Sequence, residues 1–137
     1  AMGAKVKANP VSEIGWHMTR NLPSPDARQW LDGLDNENLL FHWHSETFDL
    51  PMGAVPILSS SYCEHQGFVS GKTLALQCHI EMTADMVSSW CDINLGSLKV
   101  SDSVQSAEDM RDEIDHKIEN LNQVAEKLYS VWMKGLK

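Results

Sequence analysis

The C-terminal third of the chain has the clearest pattern of hydrophobic and polar positions. Over residues 106–134, apolar side chains recur at steps of three and four residues. The members of this stripe are Ile114, Ile118, Leu121, Ala125, Leu128 and Trp132. Such spacing puts the apolar side chains on one helical face, so we predict a helix packed on the rest of the domain, with Ser106 and Asp109 as its capping box. Because the repeat covers only about three heptads, a dimerising coiled coil is the minority alternative.

Residues before position 83 show shorter periods that are typical of β-strands. Segments 4–10 and 13–20 predict two short strands, the first closed by Asn9-Pro10. Segment 38–48 predicts a strand that runs into a functional loop, and 54–58 predicts an apolar strand after a turn.

Turn and cap residues punctuate these segments. Residues 70–72, Ser-Gly-Lys, predict the turn of a hairpin within 64–79. Ser24, which precedes a proline, predicts the cap of a short helix, and Thr83 predicts the cap of another. Strands therefore come before most of the helices, which indicates a small α+β domain or a piece of a larger α/β fold.

Composition narrows the class of protein. The formal net charge of the 137 residues is −8 and the basic residues are scattered, which argues against a polyanionic partner. No apolar run approaches the roughly 20 residues of a membrane helix, and the first ten residues lack the apolar core of a signal peptide. Three cysteines without CxxC spacing favour a reducing compartment. We therefore predict a cytoplasmic protein that binds neither nucleic acid nor membrane.

A histidine and a carboxylate stand two residues apart where the last apolar strand gives way to a helix. Gln77, His79 and Glu81 would share one face if the strand persisted through all three. A histidine that acts as a general base needs a group that holds its tautomer and stabilises its charged form, and a carboxylate does this. The same spacing also suits a structural pair at a strand end, so both interpretations stay open on spacing alone.

Two further histidines, His42 and His44, are also two residues apart. Together with His65, and with Cys63 and Cys78 nearby in type, they allow a zinc site to be drawn, although the spacing matches no closed structural zinc pattern. Histidines that line a cleft or bond to the backbone are the plainer interpretation. A non-catalytic binding or metal-binding module remains the alternative from another functional class.

The three cysteines lack the setting of a nucleophile. Cys63 lies in an irregular segment, Cys78 lies in an apolar strand, and Cys91 lies near a helix end where the dipole disfavours a thiolate. None has the Gly-x-Cys-x-Gly turn that holds a thiol above a sheet. We predict that all three are small buried hydrophobes.

Three segments, taken in order, carry the motifs of one family. Residues 3–18 contain an "NP...EIGW" core; residues 41–68, FHWHSETFDLPMGAVPILSSSYCEHQGF, are similar to HWHGDTFDLPxGAxxLASSxxCxxQAF; and residues 74–90 resemble xGLQFHPEVTxEMxxxW. Together they resemble the class I glutamine amidotransferases, and most nearly stand-alone proteins like the glutaminase domain of GMP synthetase. The resemblance implies an α/β, flavodoxin-like fold, with a largely parallel but mixed sheet and flanking helices. Residues 38–82 should supply strands, several of them antiparallel at one side.

The resemblance also implies how the chain is divided. Residues 1–137 would form the C-terminal portion of a single amidotransferase domain. The sheet and active-site segments would occupy about residues 1–92, and the C-terminal helix residues 104–136. The nucleophile elbow is expected in the N-terminal half of the same domain, ahead of this chain.

Roles for individual residues follow from the resemblance. It implies that His79 is the general base and acid beside a cysteine nucleophile, and that Glu81 orients and charges it. In this family the cysteine attacks the side-chain amide of glutamine and releases ammonia, and water then hydrolyses the thioester. His44, Ser45 and Glu46 would line the glutamine pocket and hold the substrate's amino-acid end through their backbone. No cofactor and no metal is implied.

Two positions depart from the family pattern. Its Phe-His-Pro-Glu is here Cys78-His79-Ile80-Glu81, which leaves room beside the histidine and removes a conformational lock. We expect the complete protein to hydrolyse glutamine, with an ammonia-accepting synthase as a candidate partner. A γ-glutamyl peptidase or amidase of the same fold is the alternative. This chain alone is expected to be inactive and to fold poorly.

Overall fold

The computed structural model describes residues 2–135, and five strands and four helices lie within that range. The strands are β1 (Val6–Asn21), β2 (Glu37–Phe48), β3 (Val55–Ser60), β4 (Gly67–Ser70) and β5 (Thr73–Leu76). The helices are α1 (Pro25–Trp30), α2 (Ala84–Asn94), α3 (Ala107–Arg111) and α4 (Ile114–Lys134).

The strands form one curled sheet in the order β2-β1-β3-β4-β5, and each neighbouring pair is antiparallel. The α/β architecture with flanking helices is as predicted, and the antiparallel strands expected within residues 38–82 are present. Short connections join β3, β4 and β5, which suits antiparallel pairing because parallel neighbours need a crossover of about a dozen residues. Within 2–135 the parallel contribution is an isolated bridge between Ile14 and Val104.

The first two predicted strands are one strand with an irregularity at the predicted break. Ala8 pairs with Glu46 and Glu13 pairs with His44, so five residue steps on β1 face two on β2. Such a bulge leaves residues unpaired, which accommodates Pro10 because proline has no N–H to donate. The strand therefore continues to Asn21 and pairs with both β2 and β3.

The predicted turn and caps are confirmed. Gly71, with φ of +57°, lies in the turn between β4 and β5. The Ser24 hydroxyl accepts a hydrogen bond from the backbone N–H of Ala27, and the Thr83 hydroxyl accepts one from Met86. Each satisfies a backbone donor that the first helical turn leaves without a partner.

The predicted C-terminal helix is two helices. The capping box of Ser106 and Asp109 is present and opens α3, but the chain breaks at Asp112 and Glu113, where Glu113 has φ of +46°. The break redirects the chain, so that Met110 is fully buried and its carbonyl accepts the Trp16 indole N–H at 3.0 Å. The prediction of a single helix is therefore wrong at 112–113, and residue 136, its predicted end, lies outside the described residues.

The apolar stripe of α4 packs on the sheet through its centre. Its buried members are Leu121, Val124, Ala125 and Leu128. They join a core that includes Trp16 and Phe41, and full burial of each large apolar side chain stabilises the fold by about 1.5–3 kcal/mol. Trp132, at the end of the stripe, is exposed. Among residues 2–135, no helix has the length and apolar character needed to cross a membrane.

Candidate active site

His79 and Glu81 meet although the strand before them has ended. β5 ends at Leu76, but the backbone N–H of His79 donates to the Phe41 carbonyl at 2.8 Å, and this single bridge holds His79 beside β2. The His79 Nδ1 lies 2.7 Å from Glu81 Oε1, and the two side chains are 28% and 50% exposed. A carboxylate that accepts from Nδ1–H leaves Nε2 as the free basic nitrogen of the ring.

Alternating burial orients this short segment. Ile80 and Met82 point into the core and are almost fully buried, while His79 and Glu81 lie on the accessible side. The apolar pair therefore anchors the backbone on both sides of Glu81, so that the polar pair is held against a fixed frame.

Trp90, on α2, packs against the His79 ring. The two ring centroids are 5.1 Å apart and the planes are nearly perpendicular, at 87°. Trp90 makes a second edge contact with Trp43 of β2, with centroids 5.6 Å apart. Such aromatic contacts limit where the imidazole can turn. Sequence reasoning missed Trp90, although its place at the end of the third motif was a usable signal.

The cysteines are buried, as predicted. Burial raises the pKa of the Cys78 thiol to about 12, and burial also raises the pKa of Cys91. Cys63 is equally inaccessible, with its sulfur 3.3 Å from the Thr47 hydroxyl. A buried thiol is a poor nucleophile because the thiolate is the reactive form.

The predicted glutamine-pocket residues divide into backbone and side-chain roles. The His44 side chain is only 6% exposed, with Nδ1 donating to the Glu46 carbonyl at 3.0 Å and Nε2 lying 3.1 Å from Glu13 Oε2. The Ser45 and Ser12 hydroxyls are hydrogen-bonded at 2.8 Å. Ser45 and Glu46 are exposed and accessible to a ligand, while the His44 ring is buried.

The histidines of the alternative metal module do not all come together. His65 Nδ1 donates to the Phe48 carbonyl at 2.8 Å, and His65 belongs to no metal-ligand cluster among residues 2–135. His42 and His44 instead cluster with Glu13, whose role sequence reasoning missed. The "EIGW" segment held that signal, since Glu13 is a lone acidic residue beside an apolar stretch.

A cavity of about 660 Å³ opens beside the His–Glu pair. His79 and Glu81 line it together with Leu74 of β5, and Tyr129 and Trp132 of α4 close its far side. A larger cavity of about 820 Å³ lies between α1 and the end of α4, but it contains neither His79 nor Glu81. We place the candidate site at the smaller cavity because the reactive groups are there.

Comparison with known proteins gives results only at the level of structure. The sequence matches no family model. It also matches no curated protein. Among solved structures, a glutamine amidotransferase from Methylobacillus flagellatus matches with a TM-score of 0.92 and 41% identity, over 99% of this chain and 57% of that one. A glutamine amidotransferase from Thermotoga maritima matches with a TM-score of 0.81 and 26% identity, over 96% of this chain and 55% of that one.

A third neighbour shares the fold alone. It is described as a putative GMP synthase subunit from Thermoplasma acidophilum, with a TM-score of 0.51 and 19% identity, over 90% of this chain and 53% of that one.

By its fold, this is a mixed α/β protein with a curled antiparallel sheet and flanking helices. Its solved neighbours at 41% and 26% identity are glutamine amidotransferases, so the predicted resemblance to that family is confirmed. The chain spans a little over half the length of the solved amidotransferases it matches.

Proposed function

We propose that this chain carries the base and carboxylate of a glutamine amidotransferase, which hydrolyses the glutamine side-chain amide to glutamate and ammonia. The observation that carries the proposal is the 2.7 Å contact between His79 Nδ1 and Glu81 Oε1 in an open cavity. His79 Nε2 makes no hydrogen bond within the described part of the chain, so it is free to exchange a proton with a nucleophile.

His79 would act twice in the reaction. It takes the proton of a cysteine thiol, and the thiolate attacks the amide carbon of glutamine. The resulting imidazolium, stabilised by Glu81, then gives its proton to the leaving ammonia. In the second half, His79 removes a proton from water as the water attacks the thioester, and glutamate and the free thiol are released.

The nucleophile would come from the N-terminal half of the same domain. Cys63, Cys78 and Cys91 are buried, and Cys78 follows the alternation that turns neighbouring residues to opposite sides, away from His79. The N-terminal half would pair with β5, because β5 is an edge strand that pairs only with β4 among the described residues. An unpaired edge with half-buried leucines is suited to accept a further strand.

Glutamine would lie between the His–Glu pair and residues 44–46 of β2. Phe41, which bridges to His79, and His44 are three residues apart on β2, or about 10 Å along a strand. The backbone at 44–46 would bind the α-amino and α-carboxyl groups, which leaves the side-chain amide at His79. The three free thiols suit a cytoplasmic setting, and a synthase that consumes the ammonia would be the partner.

A second candidate is a γ-glutamyl peptidase or amidase. The cavity beside His79, of about 660 Å³, has room for a leaving group larger than ammonia. The same triad chemistry would serve either leaving group, because both reactions pass through a γ-glutamyl thioester.

One assay tests and separates the two candidates. The complete protein, with both halves of the domain, is supplied with glutamine and with γ-glutamyl dipeptides at equal concentration, and glutamate release is measured. We expect the larger kcat/KM for glutamine. A larger value for the dipeptides would favour the peptidase, and folded protein that releases glutamate from neither substrate would contradict both.

A further inference from the structure

A second cluster of ionisable groups lies inside the sheet, apart from His79. Glu13 of β1 pairs directly with His44 of β2, and His42 lies two residues away on the same face. One ligand atom from each of the three residues lies within 4.8 Å of the others. Glu13 and His42 are 0% exposed, and the His44 side chain is 6% exposed.

The surroundings of both rings set which nitrogen carries the proton. The Glu46 carbonyl can only accept, so the facing His44 Nδ1 carries a proton and the Nε2 lone pair points at Glu13 Oε2. His42 Nε2 lies 3.0 Å from the Thr19 hydroxyl. When Nε2 carries the proton and donates it to Thr19, the Nδ1 lone pair points toward Glu13.

The carboxylate at the centre of the cluster is incompletely bonded. Glu13 Oε1 and His42 Nδ1 are buried without hydrogen-bond partners. A buried polar atom without a partner destabilises the fold, so the unpaired Glu13 Oε1 and His42 Nδ1 favour a bound cation at this position.

We propose that Glu13, His42 and His44 bind a divalent transition-metal ion, with Zn²⁺ as the best fit to two imidazoles and one carboxylate. Ligand bonds of about 2.0–2.1 Å in tetrahedral geometry separate neighbouring ligand atoms by roughly 3.3 Å. The Glu13 oxygen lies 3.1 Å from His44 Nε2 and 3.9 Å from His42 Nδ1, values on either side of that separation. The ion would tie β1 to β2 beside the bulge and would be structural.

Neighbouring groups complete the arrangement. Thr19 and the Glu46 carbonyl bond to the outer nitrogens of the two rings, as outer partners of metal-bound histidines do. Gln66 Nε2 donates to Glu13 Oε2 at 2.5 Å and orients the carboxylate. Gln66 Oε1 is buried without a hydrogen-bond partner and is a candidate fourth ligand.

The test measures metal binding and thermal stability, and it does not depend on enzyme activity. The protein is stripped of metal with a chelator, then titrated with Zn²⁺ in competition with a chromophoric chelator. We expect one bound ion per chain and a higher Tm with Zn²⁺ than with Mg²⁺, because a ligand bound only by the folded state stabilises it. His44→Gln should weaken Zn²⁺ binding at least tenfold and remove the Zn²⁺-dependent rise in Tm.

His65→Gln is the matched control. The sequence grouped His65 with His42 and His44 as candidate metal ligands, but in the structure His65 lies outside the cluster. This variant should bind Zn²⁺ as the wild type does. Folded wild-type protein without stoichiometric Zn²⁺ would overturn the proposal. Equal loss in His65→Gln would also overturn it, because the ion would then lie elsewhere. Since His79 takes no part, glutaminase failure would leave the metal result standing.

Discussion

The indole of Trp90 stands almost perpendicular to the imidazole of His79, with ring centroids 5.1 Å apart. An aromatic ring in this position restrains the imidazole and attracts its charged form, an interaction worth about 1 kcal/mol. We expect Trp90→Leu to lower kcat of the complete protein about fivefold and to change KM for glutamine little. Trp90→Phe should recover part of the rate, and a loss that appears in KM instead would show that Trp90 contacts substrate.

His79 should matter more than Glu81. In well-studied triads, loss of the base costs on the order of 10⁶ in turnover and loss of the orienting acid roughly 10⁴ to 10⁵. We expect His79→Ala to abolish ammonia release and Glu81→Gln to leave a measurable rate. His116→Ala, at an exposed histidine on α4, is the control and should act as wild type. Near-wild-type turnover by His79→Ala would sink the catalytic assignment.

Gly15 should tolerate no side chain. It has φ of +111°, and a Cβ there would lie 2.4 Å from Gln105 Oε1. Gln105 cannot move freely, because its amide bonds to both the N–H and the carbonyl of Trp16. We expect Gly15→Ala to lower the free energy of unfolding by about 2–4 kcal/mol through backbone strain and overpacking.

The control for that substitution is Gly96→Ala. A Cβ at Gly96 would meet nothing within 4 Å, so its effect on unfolding by urea should be small. Equal stability of the two variants would contradict the close approach of Gln105 to the β1 backbone.

Cys78 should make stability fall at alkaline pH. Its pKa is raised by burial to about 12 in the folded chain and is near 9 when unfolded. Above pH 9 the unfolded state loses a proton that the folded state keeps, so stability falls as pH rises, by about 1.4 kcal/mol per pH unit. Urea unfolding between pH 9 and 10.5 should therefore show a shallower loss in Cys78→Ala than in wild type. Parallel slopes would mean that Cys78 is exposed to solvent.

The 137-residue chain alone should not release glutamate from glutamine. Its three cysteines are buried, and a thiol without a positioned base and oxyanion donors is only a few per cent thiolate at neutral pH. Single Cys→Ala variants of Cys63, Cys78 and Cys91 serve as the test. Glutamate release by the wild-type chain that any one of these variants abolished would prove the prediction wrong.

Features set by local chemistry could be predicted from the sequence. The caps at Ser24, Thr83 and Ser106 and the turn at Gly71 each depend on a side chain and on backbone within a few residues. The contact of His79 with Glu81 is local in the same sense, and the motif around it pointed to the pair.

Features set by distant contacts could not be predicted. The break at Glu113 depends on where Met110 meets Trp16, which is 94 positions away in the chain. The continuity of β1 through Pro10 depends on β2, which pairs with it on both sides of the bulge despite local signals for an end. The cluster of Glu13 with His44 depends on strand register, which no pattern within one strand reveals.

The bulge in β1 has a consequence for how related sequences can differ in length. Between Ala8 and Glu13 the strand advances five residues while its partner advances two, an odd excess that decides which face Glu13 and Trp16 occupy. Adding or deleting one residue there would turn every later side chain of β1 to the other face, whereas a change of two would keep the faces. We therefore expect homologues to differ in the identity of residues 9–12 far more than in the number of residues there. Any insertion or deletion in this segment should contain an even number of residues.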